Sequence, residues 1–145
     1  MPAANNNIPI QRYAAEQIAS RLGRLVFEFK RCSNSLDPEA VHDLRVSIRR
    51  FNQSLRTFSS LLPDRETRKI RKQTRQLMRL AGEVRNRDIA LEWLSRSGVS
   101  RRAQLWTRMV RARGETEHSL GEMLKHYSKR DFSSRWRSRL HLDVS

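Results

Sequence analysis

Cysteine is almost missing from this 145-residue chain. Cys32 stands alone, which excludes a disulfide framework and a thiolate metal site. The chain contains only four prolines and five glycines, so few positions interrupt a regular element. No apolar run is long enough to cross a membrane. The opening "MPAANNNIPI" lacks the basic-then-apolar order of a signal peptide, and a soluble, cytoplasmic protein is expected. Strict apolar–polar alternation is also missing, which argues against strands. Acidic residues are scarce as well: 15 Asp and Glu face 30 Lys and Arg, a formal charge of +15.

That excess repels itself unless an anion neutralises it. Of the 30 cations, 25 are arginine, whose planar fork of donors meets two oxyanion oxygens at once. A polyanionic partner follows, whether nucleic acid, polyphosphate or an anionic surface. A chain of this length is expected to form one domain over residues 1–145, with residues 1–8 as a flexible leader.

Helical periodicity dominates. Ala14, Ile18, Leu22, Leu25 and Phe29 recur every three or four residues, predicting a first helix over about residues 10–31. Asp37 followed by Pro38 reads as an N-cap and first helical position, with Leu36 and Val41 placed as a hydrophobic staple. The second helix is expected to reach about residue 62, where Pro63 stops it. Asp64 can cap a third, which Gly82 or Val84 should end, with Asn86 or Asp88 capping a short fourth helix over residues 89–96 that Gly98 terminates. Ser100 can cap a fifth reaching about residue 129, and the tail forms a short helix or packs without one. The fold class is all-α: an antiparallel bundle of about four to five helices.

In the second helix Val41, Leu44, Ile48, Phe51, Leu55, Phe58 and Leu62 make an unbroken seam at spacings of three and four. One residue on from the first five lie His42, Arg45, Arg49, Asn52 and Arg56, a flanking line of donors. As a metal site, His42 with Asp43 lacks further ligands; His118, His126 and His141 are scattered. As a catalytic base, His42 has only cations in its line. An anion-binding strip fits this line better than either, with a solvated charged flank as the bland reading. The third helix repeats the pattern. Arg68, Arg71 and Arg75 follow one flank of its seam, and Lys69, Lys72 and Arg79 fill its outer face. Nine basic residues and two acidic ones lie between Arg65 and Arg87. Such like-charge pairs at i, i+4 each cost a few tenths of a kcal/mol, which a bound anion would offset. If the two helices pack antiparallel, their basic flanks line one groove.

The stretches "VHDLRVSIRRF" and "LAGEVRNRDIALEWL" resemble the two motifs of the conserved histidine α-helical domain, or CHAD, family. "LDPEA" before them and "LLP" between them sit where that family has them, and the resemblance covers residues 36–94. It implies an all-helical fold that binds inorganic polyphosphate without catalysis, metal or cofactor. By position, His42, Arg45, Arg49 and Arg50 match the first motif, Arg85 and Asp88 the second, and Lys72, Arg75 and Arg79 the basic third helix. Asn52 departs from a usual basic residue, and Asn86 from a frequent aspartate. Family domains usually have two similar halves, and this chain has the length of one, so a homodimer that restores the second half is expected. Association with polyphosphate granules is a further implication.

Two other functions share some of these features. A nucleic-acid binder would share the electrostatics, but single-strand binders interleave stacking aromatics with their cations, and Trp93, Trp106 and Trp136 fall outside the two basic helices. A metal-dependent polyphosphate or triphosphate hydrolase needs clustered carboxylates. Glu115, Glu117 and Glu122 occur together, but a solvated helix face is their better reading.

Overall fold

A computed structural model describes residues 4–143, with side chains from Pro9 onward. Five α-helices follow one another: α1 (Ala4–Asn34), α2 (Pro38–Thr57), α3 (Asp64–Arg96), α4 (Gln104–Lys129) and α5 (Phe132–Arg139). A 3₁₀ turn, Ser59–Leu61, joins α2 to α3. No strand occurs among the described residues. Helices α1 to α4 pack each against the next, α1 also meets α4, and α5 lies against α1 and α4. An antiparallel bundle with short connections results.

The predicted seams form the core. Ala14, Ile18, Leu22, Leu25 and Phe29 of α1 are buried, as are Val41, Leu44, Ile48, Phe51 and Leu55 of α2. Each fully buried aliphatic or phenyl side chain contributes about 1.5–3 kcal/mol relative to exposure. Phe58 and Leu62 are only half-buried, because α2 ends at Thr57 and the 3₁₀ turn carries the chain across the bundle end. The start of α2 is as expected: the Asp37 side chain accepts from the Ala40 N–H at 2.8 Å, and Pro38 opens the helix. The tail packs as a helix, with Trp136 stacked on Phe51 (centroids 5.7 Å apart, planes within 5°) and Phe132 against Phe29.

Besides the end of α2, at Thr57 and not near residue 62, three boundaries differ from the sequence reading. Helix α1 starts at Ala4, upstream of Pro9, not near residue 10; residues 1–3 lie outside those described. The expected break at Gly82 does not occur, and α3 runs unbroken through Gly82, Asn86 and Asp88. A mid-helix glycine costs about 1 kcal/mol relative to alanine, less than the burial of Leu80, Ala81 and Val84 around it contributes. Helix α4 starts at Gln104, since Ser100 Oγ accepts from the Arg102 N–H within a turn (3.1 Å) instead of capping. Gly98 does end α3, at a positive φ of 76° that a side chain would strain.

Beyond Val84 in α3 and before Leu120 in α4, the main core cluster has no member, and Leu94 is buried apart from it. This far end of the α3–α4 hairpin leaves Ile89, Trp93, Leu105 and Val110 exposed, Trp93 by 66%. Cys32 lies in the core, where burial and the nearby Glu28 carboxylate push its thiol up to about 12. It is therefore a neutral thiol at physiological pH, its Sγ 3.5 Å from the Ala40 carbonyl.

Candidate functional site: two basic grooves beside the second helix

At about 100° per residue, His42, Val46, Arg49 and Gln53 run along the crest of α2 opposite Leu44, Ile48, Phe51 and Leu55. One shoulder of that crest faces α3 and the other faces α1. The basic residues of α2 are divided between them.

The α2–α3 groove, about 570 Å³, is lined by Arg49, Asn52, Gln53, Arg56, Thr57, Arg71 and Met78. Its floor is tied across the two helices: the buried Thr74 hydroxyl donates to Asn52 Oδ1 at 2.5 Å. Asn52, the departure from a basic residue in the first motif, therefore serves as a structural clasp. Arg45 lies on the same shoulder of α2, while Arg85, Arg75 and Arg68 follow Arg71 along the facing side of α3. Among the described residues, Arg45, Arg49, Arg56, Arg71, Arg75 and Arg85 have no carboxylate at ion-pair distance. The Nε atoms of Arg45 and Arg71 are buried and have no acceptor. A buried donor left unpaired costs about 1–3 kcal/mol.

Not every expected residue shares this groove. Arg50 and His42 line a furrow on the other side of α2, against α1. Lys72 and Arg79 stand on the outer side of α3, opposite Ile70 and Leu77. Arg79 is paired with Glu83 at 3.3 Å, and Arg68 with Asp64 at 3.1 Å. The groove expected between α2 and α3 is thus corrected for His42 and Arg50, which face α1, while Lys72 and Arg79 keep the outer face that the spacing predicts. Adjacent helical residues diverge by about 100°, so the doublet Arg49–Arg50 cannot point one way.

The acidic members of the motifs hold the scaffold. Asp43 accepts from Arg31 of α1, and that hydrogen bond is the main reason the Arg31 pKa rises above its ordinary value. Asp88 was expected to cap a helix. It instead takes a hydrogen bond from Arg113 Nε of α4 at 3.0 Å. Arg113 also bonds Glu117, and its third nitrogen donates to the Leu36 carbonyl at 2.5 Å. Burial opposes the Arg113 charge, but the Asp88 hydrogen bond, followed by the Asp88 and Glu117 charges, outweighs it and raises its pKa. This clasp joins α3, α4 and the α1–α2 turn. Sequence reasoning missed it because its partners lie 25 and 77 positions apart, with no shared periodicity.

Among the described residues, no three His, Cys, Asp or Glu side chains are grouped to hold a metal. No helix there is long and apolar enough to cross a membrane. The aromatic side chains do not line the α2–α3 groove: Trp136 is in the core and Trp93 stands on the distant hairpin. Compared with known proteins, residues 16–144 match the family model described as CHAD domain, a span far wider than the two motifs. No curated protein and no solved structure matches the chain.

Proposed function

The chain belongs to the CHAD domain family, and from that premise we propose that it binds inorganic polyphosphate in the α2–α3 groove without catalysing its hydrolysis. The observation that carries this reading is that Arg49, Arg56 and Arg71 line one groove and, among the described residues, none of them has a carboxylate at ion-pair distance. Arg49, Arg56 and Arg71 grip phosphoryl oxygens through paired N–H donors, and Arg75 and Arg85 extend the positive wall. A repeating anion with no bases to stack suits a groove lined by arginine, amide and hydroxyl groups without aromatics. Association with polyphosphate granules in the cytoplasm belongs to the same reading.

Counterion release gives the test. With about six phosphates neutralised, log affinity falls against log salt with a slope of about −4, a loss of a few hundredfold between 50 and 200 mM. Titration of long-chain polyphosphate across that salt series checks this, and a nearly flat dependence would count against it. In competition at equal phosphate concentration, polyphosphate is expected to displace DNA and RNA. The reverse order would favour a nucleic-acid partner.

A homodimer is part of the proposal. The exposed Ile89, Trp93, Leu105 and Val110 of the α3–α4 hairpin offer an apolar face, while a charge of +15 on each copy opposes their approach. Pairing is therefore expected when polyphosphate is present and weak without it. Light scattering at micromolar protein, with and without polyphosphate, reads this directly. A monomer under both conditions, with full binding, would remove the dimer from the account.

A further inference from the structure

The furrow between α1 and α2 holds cations that the α2–α3 groove does not use. It consists of two adjoining cavities, and Arg21 of α1 and Arg50 of α2 line both. Neither has a carboxylate at ion-pair distance among the described residues. Two exposed guanidinium groups are thus brought to one furrow without ion-pair partners of their own among the described residues.

The two cavities differ in chemistry. The one nearer the α1–α2 turn also contains Glu28 and Asp43, and both carboxylates are engaged. Glu28, 1% exposed, is flanked by Arg24 at 3.0 Å and Arg31 at 3.7 Å, and Asp43 bonds Arg31. The other cavity has no carboxylate in its lining, which offers the amides of Gln17 and Gln53 and the Thr57 hydroxyl around the two arginines. Paired guanidinium donors, neutral donors and no competing acid are what a phosphoryl group requires.

Gln53 and Thr57 also border the α2–α3 groove, so only the crest of α2 separates the two regions. The consecutive residues Arg49 and Arg50 turn to opposite sides of it. We propose that Arg21 and Arg50 form a second phosphoryl-binding site in the α1–α2 furrow, and that a long polyphosphate chain crosses α2 at Gln53 to occupy this site and the α2–α3 groove together. A short oligophosphate fills the two sites separately. Long chains then bind more tightly through effective concentration. The bridging half of this proposal rests on the groove reading given above; the second site does not.

Calorimetric titration at low salt with tripolyphosphate, and then with long-chain polyphosphate, separates the possibilities. The wild-type chain is expected to bind two tripolyphosphates. Arg21→Gln with Arg50→Gln should bind one, and lose about tenfold or more in long-chain affinity. Gln17→Glu, which places a carboxylate in the furrow alone, should act in the same direction, and circular dichroism should show native helicity for each variant. Unchanged stoichiometry and unchanged long-chain affinity in both variants would overturn the second site. Reversal of Arg49, Arg56 and Arg71 should also leave one tripolyphosphate bound. If that reversal is silent while the Arg21 and Arg50 variant abolishes binding, the α2–α3 reading fails and the furrow site stands.

Discussion

Reversing Arg49, Arg56 and Arg71 to glutamate is expected to raise the Kd for long-chain polyphosphate by about a thousandfold or more at 50 mM salt, with no loss of fold. Each of the three guanidinium groups faces the α2–α3 groove. A hydrogen bond to a charged partner contributes about 1.5–3 kcal/mol, so losing three amounts to about 4–6 kcal/mol even at partial additivity. At 1.4 kcal/mol per factor of ten, that is three to four decades in affinity. The introduced carboxylates add repulsion. Stability should respond in the opposite sense. Among the described residues none of the three has an ion-pair partner to lose, and thinning a dense basic surface relieves self-repulsion. The melting temperature should therefore hold or rise.

A charge-matched control makes the result specific. Arg65, Arg111 and Arg130 are exposed and lie outside the groove lining. Reversing them changes the net charge equally without removing a donor from the groove lining, and salt screens what remains of their field. A loss of less than about tenfold is expected there. If the control weakens binding as much as the groove variant, the anion reads the overall charge and no groove exists as a site.

The second large effect concerns stability. Arg113→Ala is expected to cost about 3 kcal/mol, lowering the melting temperature by about 6–12 °C for a chain of this size. The Asp88 side chain is 9% exposed and Arg113 17%, so removing the guanidinium strands a buried carboxylate and frees the Leu36 carbonyl. Asp88→Asn leaves no stranded charge on α3 and should cost less, about 1–2 kcal/mol. The Arg113→Ala, Asp88→Asn pair should cost less than the sum of the two, since the second change removes the charge the first exposed. Chemical denaturation of the four proteins measures this coupling. Strict additivity would mean that the two side chains do not act as one clasp. Polyphosphate affinity of the folded variants should be near wild type, because neither residue lines the groove.

The fold was legible where a local pattern repeats. The three-four spacing of Ile18, Leu22, Leu25 and Phe29, and the seam from Val41 to Leu55, predict helices whose buried faces the structure contains. Asp37 and Pro38 mark the start of α2 because capping is chemistry within a few residues. The break expected at Gly82 failed for a complementary reason. Propensity there is a matter of about 1 kcal/mol, and the packing of Leu80, Ala81 and Val84 against other helices, which no short window reports, outweighs it.

The candidate site divides along the same line. Its residue types are legible: a helix whose seam is flanked by His42, Arg45, Arg49 and Arg56 has a basic face, and the two motifs name the family. Their grouping is not. Whether Arg50 joins Arg49 depends on which neighbour lies on each shoulder of α2, and the structure puts α3 on one side and α1 on the other. Arg21 had no signal in its own helix, since its importance comes only from standing opposite Arg50. Asn52 stood out only as a departure from a usual basic residue, and it ties the floor of the groove through Thr74, 22 positions away.

By itself, then, the order of residues determined five amphipathic helices' worth of pattern, the excess of arginine and the membership in a family. These depend on period, charge and short motifs, all of which are carried within a few residues of one another. Tertiary structure alone decided which cations face a common groove, which are spent on neighbouring carboxylates, and that Arg113 locks Asp88. Such pairings arise from the order in which helices pack around one core, and that order is set by burial summed over the whole chain.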